Sequence, residues 1–382
     1  MKITYISGTR ADYELMRSVL ERLHGDRLFD FKILVTGMHL RKEFGETVKV
    51  IERDGFPILA KIDTLHSKDS NMEMTVSLGH TIAQMAKVLE NEKPDFILLL
   101  GDRDEQLAGA ICGSHLNILL GHVHGGERSG SIDESNRHAI TRFSHLHLAS
   151  CQESFDRLSR MGEESWRIHL VGAPALDRLS KMKKLSRMEL SQALKTDYLL
   201  NPYLVLLQHS VTTEAQDTKK QIEETLVAIQ NAGLNCIALV PNADAGGKMI
   251  RHALEEAHNR GELQLFVHLE QEVYGSLLAH SEALIGNSSS GIIEAPFLNV
   301  PVVNIGSRQN LRFRGSNVID VEYDRNEILK AIKQIVEDPH FRKKTQKDQF
   351  IYGDGHASEK ILSVLKTIDH RNPSLLQKRI TF

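Results

Sequence analysis

Residues Leu99 to His138 read LLGDRDEQLAGAICGSHLNILLGHVHGGERSGSIDESNRH. Two apolar runs, Phe96–Leu100 and Ile118–Leu120, each stop at a polar burst. The first burst is Gly101-Asp102-Arg103-Asp104-Glu105. The second is His122-Val123-His124-Gly125-Gly126-Glu127-Arg128, with Asp133, Glu134, Arg137 and His138 close behind. Short apolar runs followed by helix-like segments predict buried parallel strands. Ligands of open α/β sheets bind beyond the carboxyl ends of the strands. Acids, His and Arg gathered there combine proton transfer with anion binding.

The same alternation extends in both directions. Strand-like runs precede and follow it at Ile3–Ile6, Phe31–Val35, Leu146–Ala149 and Ile168–Val171. Helix-like stretches such as Tyr13–Leu23 and Gly79–Asn91 lie between. A charged, helix-prone span, Leu176–Lys195, separates these from a second series: Tyr203–Leu207, Cys236–Val240, Leu265–Val267, Ala283–Ile285, Val302–Asn304 and Val318–Val321. Helices are predicted at Lys219–Gly233 and Lys248–Gly261. Alternating strands and helices mean parallel sheets covered by helices. The expected fold class is α/β: two Rossmann-like, doubly wound domains facing a cleft. Their expected bounds are 1–175 and 176–355, with a last helix, Ala357–Ile368, in a segment 356–382 that crosses back to the first domain.

At 382 residues the chain exceeds one ordinary core. A net charge of −3 offers no global basic field for nucleic acid or anionic membrane. The three cysteines, Cys112, Cys151 and Cys236, are far apart, which fits reduced thiols and not a disulfide framework or zinc site. The first residues, MKITYISGTRADYELM, lack the apolar core of a signal peptide, and no run approaches a membrane span of roughly 20 apolar residues. A cytoplasmic protein is the expectation.

Four further motifs carry chemistry. Ser7-Gly8-Thr9-Arg10-Ala11-Asp12-Tyr13 follows the first strand and opens a helix. Free N–H groups there and the Arg10 fork suit phosphate, although an ordinary strand–helix turn reads the same way. Gly286-Asn287-Ser288-Ser289-Ser290-Gly291 is the sharper anion signal, since three consecutive Ser exceed what one helix cap needs. Glu294, about one turn later, can accept from ribose hydroxyls. His209, in Gln208-His209-Ser210-Val211-Thr212-Thr213-Glu214, can donate to a phosphate oxygen or simply border a cap. Asp102 gains weight from its place at the end of a buried strand, where an unpaired carboxylate is costly. Gly101-Asp102-x-x-Glu105 and Gly121-His122-x-His124 also suggest part of a two-metal phosphoesterase, but the further ligands such a site needs are missing. No metal is expected.

Taken together these residues resemble the hydrolysing UDP-N-acetylglucosamine 2-epimerase family. The matches are SGTRADY, Thr36–His39, Gly101–Arg103, His122–Asp133, Arg137–Ile140, His209–Glu214, Pro241–Gly246, GNSSSG and Gly306–Gln309, in family order across most of the chain. The resemblance implies a fold like that of the GT-B glycosyltransferases and conversion of UDP-N-acetylglucosamine to N-acetylmannosamine plus UDP. The alternative is the same reaction on UDP-2,4-diacetamido-2,4,6-trideoxyglucose. It places Arg10, His209, Ser288, Ser289, Glu294 and Arg308 at UDP, with Asn242 and Ser290 in the binding set and His39 on a loop lining the same cleft. Asp102, Arg103 and Asp133 fall around the reacting sugar. Many relatives carry Glu where this chain has His124, which leaves either His124 or Glu127 to perform that carboxylate's role. Ile293 stands where relatives often have Arg, and Ser210 where they have Pro. The His-for-Glu branch includes sialic-acid pathway and diacetamido-sugar enzymes, the latter serving legionaminic acid.

The expected mechanism eliminates UDP to leave a glycal, then hydrates it, with Asp102 and Asp133 in acid–base work and Glu127 or His124 as a third group. It needs no cofactor. The expected partners are the UDP-sugar and UDP, with no nucleic acid and no membrane, in a homo-oligomer, a dimer or tetramer. A glycosyltransferase of the same fold, or a nucleotide-sugar sensor, are the competing readings.

Overall fold

Phe96, Leu98 and Leu100 pack into one apolar cluster while Ile97 and Leu99 pack into another. This strand therefore buries both faces, as a parallel sheet covered by helices requires. The computed structural model describes residues 1–64, 71–128, 132–241, 246–267 and 269–381. Two compact units result: Met1–Asp177 with Gly353–Phe382, and Arg178–Tyr352.

The first unit holds seven strands: β1 (Lys2–Ser7), β2 (Asp30–Thr36), β3 (Ile58–Ile62), β4 (Phe96–Leu100), β5 (Leu119–Val123), β6 (Leu146–Ala149) and β7 (Ile168–Leu170). They pair in the order β3-β2-β1-β4-β5-β6-β7, and every pairing is parallel. β1 thus lies at the switch point, between β2 and β4. Gln106 staples the two central strands, donating to Ile6 O at 2.9 Å and accepting from Leu100 N at 3.2 Å. β3 was not expected from the sequence. It is a sheet edge, only partly buried along Ile58–Ala60, and the exposed Lys61 breaks the apolar run.

The helix Ala357–Thr367 belongs to this unit. Its Ile361, Leu362 and Leu365 join the cluster that includes Met16 and Leu20 of the helix Arg10–Gly25. Asp177 caps it, accepting from Ala357 N at 2.8 Å and Ser358 N at 2.7 Å.

The second unit contributes β8 (Tyr203–Leu207), β9 (Asn235–Leu239), β10 (Gln264–Phe266), β11 (Ala283–Gly286), β12 (Val302–Ile305) and β13 (Val318–Val321). The order is β10-β9-β8-β11-β12-β13, again all parallel, with β8 at the switch point. Leu204 and Leu206 face one core, Tyr203 and Val205 the other. Each such buried side chain contributes roughly 1.5–3 kcal/mol. Both units are doubly wound α/β sheets. Among the described residues no helix is long and apolar enough to cross a membrane.

Candidate active site

At the carboxyl end of β4 the chain turns through Gly101 (φ +76°) and presents Asp102. Arg137, buried on the helix Ile132–Phe143, donates Nη2 to the Asp102 carboxylate and Nη1 to His124 O at 2.8 Å. One guanidinium therefore ties the ends of β4 and β5 together. His122 is fully occupied: Nε2 meets Gly101 O at 2.7 Å and Nδ1 meets Thr141 Oγ1 at 3.0 Å. Burial pushes its pKa well down, so it stands as a neutral strut. The phosphoesterase-like His122-x-His124 pattern does not present a ligand pair. Among the described residues no three His, Cys, Asp or Glu side chains gather closely enough to hold a metal ion.

His124 is only 5% exposed and sits in the left-handed region, at φ +62°. Such a conformation costs a non-glycine residue about 1–3 kcal/mol and collects at functional sites. The following glycines permit it. A Cβ at Gly125 would lie 2.9 Å from His122 Nδ1, and one at Gly126 (φ +78°) 2.6 Å from Ser154 O. The turn brings buried Glu127 under the ring. Glu127 Oε1 accepts from His124 Nδ1 at 2.7 Å and from Ser150 Oγ. His124 Nε2 is buried and has no hydrogen-bond partner among the described residues.

A second polar group occupies the ends of β1 and β2. Asp12 accepts from Ser7 Oγ, Gly8 N (3.0 Å) and Thr9 N (2.8 Å), closing a capping box with Thr9. Burial raises its pKa to about 6, with the nearby Glu105 charge adding to the rise against these bonds. His39 is buried between Ser7 Oγ (2.9 Å) and Thr47 Oγ1 (2.8 Å), and burial lowers its pKa to about 4. Glu105, 8% exposed, lies against two glycines. A Cβ at Gly8 would come within 2.6 Å of its Cδ, and one at Gly37 (φ +61°) within 2.5 Å of its Oε1. Its Oε2 lies 3.4 Å from Arg103 Nε and has no hydrogen-bond partner among the described residues. Arg10 is half-buried, its Nε 3.9 Å from Glu14.

The second unit's edge is built differently. Gly286 (φ +129°) ends β11 where a side chain would strike the Leu207 carbonyl. Asn287, fully buried, accepts from His209 N at 2.7 Å and donates to His209 O at 2.9 Å, locking the ends of β8 and β11. Arg308 Nη1 and Gln309 Nε2 both donate to Asn287 O, at 3.1 and 2.9 Å. His209 is pushed down to about 3 by burial and by Arg308. It is a neutral imidazole at neutral pH. Ser289 is exposed at the start of the helix Ser290–Phe297, while Ser288 and Ser290 are buried. Ser290 Oγ donates to Glu294 and bonds Tyr274 OH at 2.7 Å. Burial raises the half-buried Glu294, against the pull of Ser290.

The sequence-predicted residues thus fall into groups. Asp102, His124 and Glu127 form one cluster through Arg137. Asp133 is exposed in the first turn of the helix that carries Arg137. Arg103 is exposed and pairs with Glu105. His209, Ser288, Ser290, Glu294 and Arg308 line the second sheet edge through Asn287 and the helix Ser290–Phe297. Asn242 lies outside the described residues. Arg137, Glu105 and Asp12 were not assigned from sequence. Arg137 could have been found from its spacing, one helical turn beyond Asp133.

The profile of the UDP-N-acetylglucosamine 2-epimerase family matches residues 21–366. The chain is 42% identical, over 96% of both chains, to a hydrolysing UDP-N,N'-diacetylbacillosamine 2-epimerase of Legionella pneumophila. It is 33% identical, over 87% of both, to a UDP-N-acetylglucosamine 2-epimerase of Neisseria meningitidis serogroup B. Its fold matches the crystal structure of a Neisseria meningitidis UDP-GlcNAc 2-epimerase bound to UDP-GlcNAc, with a TM-score of 0.78 at 20% identity, covering 96% of this chain and all of that one. By profile, sequence and fold, the chain belongs to the UDP-N-acetylglucosamine 2-epimerase family.

Proposed function

We propose that this chain is a hydrolysing UDP-sugar 2-epimerase whose substrate is UDP-2,4-diacetamido-2,4,6-trideoxyglucose, that is, UDP-N,N'-diacetylbacillosamine. The products are UDP and the free 2-epimeric sugar. The observation that carries the reading is the 42% identity, spanning nearly all of both chains, to the Legionella enzyme of that specificity. This moves the substrate from the N-acetylglucosamine form first expected to the diacetamido alternative. The Neisseria relative supports UDP-N-acetylglucosamine as the second reading.

The chemistry follows from the sugar. Its C2 proton has no adjacent carbonyl to acidify it. As the C1–O bond breaks, oxocarbenium character at C1 makes that proton acidic. On the second unit, the neutral His209 as an N–H donor and the Ser288–Ser290 helix end suit the departing diphosphate. Asp102, fixed by Arg137, holds negative charge for the cationic centre. The elimination leaves a glycal, and water adds with protonation of C2 from the other face. A cytoplasmic homo-oligomer is part of the reading; three free, buried cysteines fit the reducing compartment.

Incubation with both UDP-sugars in heavy water and oxygen-18 water tests it. The expected product carries one deuterium at C2 and oxygen-18 at C1, none in UDP, and forms with the higher kcat/KM from the diacetamido sugar. A higher kcat/KM for UDP-N-acetylglucosamine assigns the second reading. Release of a sugar that keeps its C2 hydrogen and configuration overturns both.

A further inference from the structure

We propose that His124 Nε2 is the atom that removes the C2 proton, and that Glu127 is the positioning residue that makes it a base. The inference rests on the epimerase reading and assigns one proton transfer within it. The hydrogen bonding fixes the tautomer. A carboxylate only accepts, so Nδ1 carries the hydrogen in the 2.7 Å bond to Glu127 Oε1. The lone pair therefore resides on Nε2. That atom is buried, without a partner among the described residues, beyond the carboxyl end of β5. A polar atom so placed is explained by a partner that arrives with the substrate.

The surroundings hold this arrangement. Arg137 from the helix Ile132–Phe143 fixes the His124 carbonyl, and Arg157 from the helix Gln152–Arg160 fixes Gly126 O at 2.6 Å. Among the described residues, the charged and titratable groups around this turn are Glu127 on it, Arg137 on the His124 carbonyl, Asp102 across Arg137, Arg157 on the Gly126 carbonyl, Cys151 beside Glu127, and His122, which burial keeps neutral. Glu127 is committed to orienting the ring, since Ser150 also donates to its Oε1. Asp102 is committed to Arg137.

In the step, the Nε2 lone pair forms an N–H bond to the C2 proton. The C2–H electron pair becomes the C1=C2 π bond, and the C1–O pair leaves on the β-phosphate oxygen of UDP. The imidazolium, stabilised by Glu127 as in other carboxylate–imidazole pairs, returns its proton to solvent. Because C2 inverts, the incoming proton arrives on the opposite face from a different group.

The test uses the full chain with UDP-N,N'-diacetylbacillosamine. His124→Gln should lower kcat on the order of 100-fold or more, with UDP affinity within about threefold of wild type. Glu127→Gln should also lower kcat and move the acidic limb of the kcat–pH profile to lower pH, because the imidazolium loses its carboxylate. Glu127→Asp should restore part of the rate and of the limb position. Should Glu127→Gln not fold, Glu127→Asp carries the pH measurement, with a smaller shift of the same sign. An unmoved limb, with kcat and UDP affinity falling together, means Glu127 is only structural and overturns the proposal. So does wild-type-like turnover in His124→Gln. If the wild-type chain epimerises neither UDP-sugar, the epimerase reading itself fails and this assignment with it; if it does, a failed variant test removes only the assignment.

Discussion

The two sheet edges share one topology and differ in equipment. Both lie at the carboxyl ends of a parallel sheet, and both are pinned by a buried side chain that bridges neighbouring strand ends: Arg137 across β4 and β5 in the first unit, Asn287 across β8 and β11 in the second. Around Arg137 stand ionisable groups, Asp102, His124 and Glu127, on strained backbone. Around Asn287 stand a neutral imidazole, hydroxyls and a helix N-terminus. A cationic bridge organises carboxylates; an amide bridge organises donors. The first edge suits bond breaking, and the second suits holding an anion that must later leave.

The sharpest way to break this division is Asp102→Asn. It keeps shape but removes the negative charge, and turnover should fall on the order of 100- to 1000-fold. UDP affinity, measured by calorimetry, should hardly move. A comparable loss in both would place Asp102 in binding. A smaller effect is expected at the other edge. Ser290→Ala strips a donor from Glu294 and a partner from Tyr274. UDP binding should weaken by about 1–3 kcal/mol, with kcat nearly unchanged. Unchanged UDP affinity would remove the helix Ser290–Phe297 from the binding edge.

Sequence made the strands legible where apolar runs were continuous and ended abruptly, as at Phe96–Leu100 and Tyr203–Leu207. It did not reveal β3, whose partly exposed edge position removes the need for a continuous apolar run. Within the site, Asp102 stood out because it directly follows a buried strand. Glu105 did not, since one acid in Gly101–Glu105 looks like the next. What sets it apart is the space left by Gly8 and Gly37, contributed by β1 and β2 far away in the chain. Arg137 was visible as part of a motif, but its partners come from two other strand ends. Pairing across strands is a tertiary fact that linear spacing does not encode.

The smallest effect expected concerns stability, and it sharpens what else the first unit does with charge. Behind its sheet, Glu163 accepts from His147 Nε2 at 2.8 Å and pairs with Lys378 at 2.7 Å. Burial would raise Glu163, but His147 and Lys378 outweigh it and bring it down to about 2. Its stabilisation is present above its ordinary value of 4.5 and is lost as pH falls toward 2. Burial holds His147 near 4, below its ordinary 6.5. The unfolded chain binds the extra proton between those values, so stability falls as pH drops through that window. Melting temperature should decline by a few degrees between about pH 6.5 and 4. Replacing the imidazole, as in His147→Gln, should make that decline shallower by its share, with the buried His39, His122, His145 and His209 keeping theirs. A melting temperature that rises on acidification contradicts the assignment.

The glycine slot around Glu105 has a consequence for how this site can change over evolutionary time. Gly8, Gly37 and Glu105 share one volume, so neither glycine can gain a side chain while Glu105 keeps its place. An alanine at Gly8 requires the Glu105 side chain to shift or to have shortened, and Gly37 carries the added demands of a positive φ and of the Gly8 carbonyl 2.8 Å from its Cβ position. Across homologous chains the three positions should therefore covary as one unit, with long acids at the third accompanied by glycine at the first two.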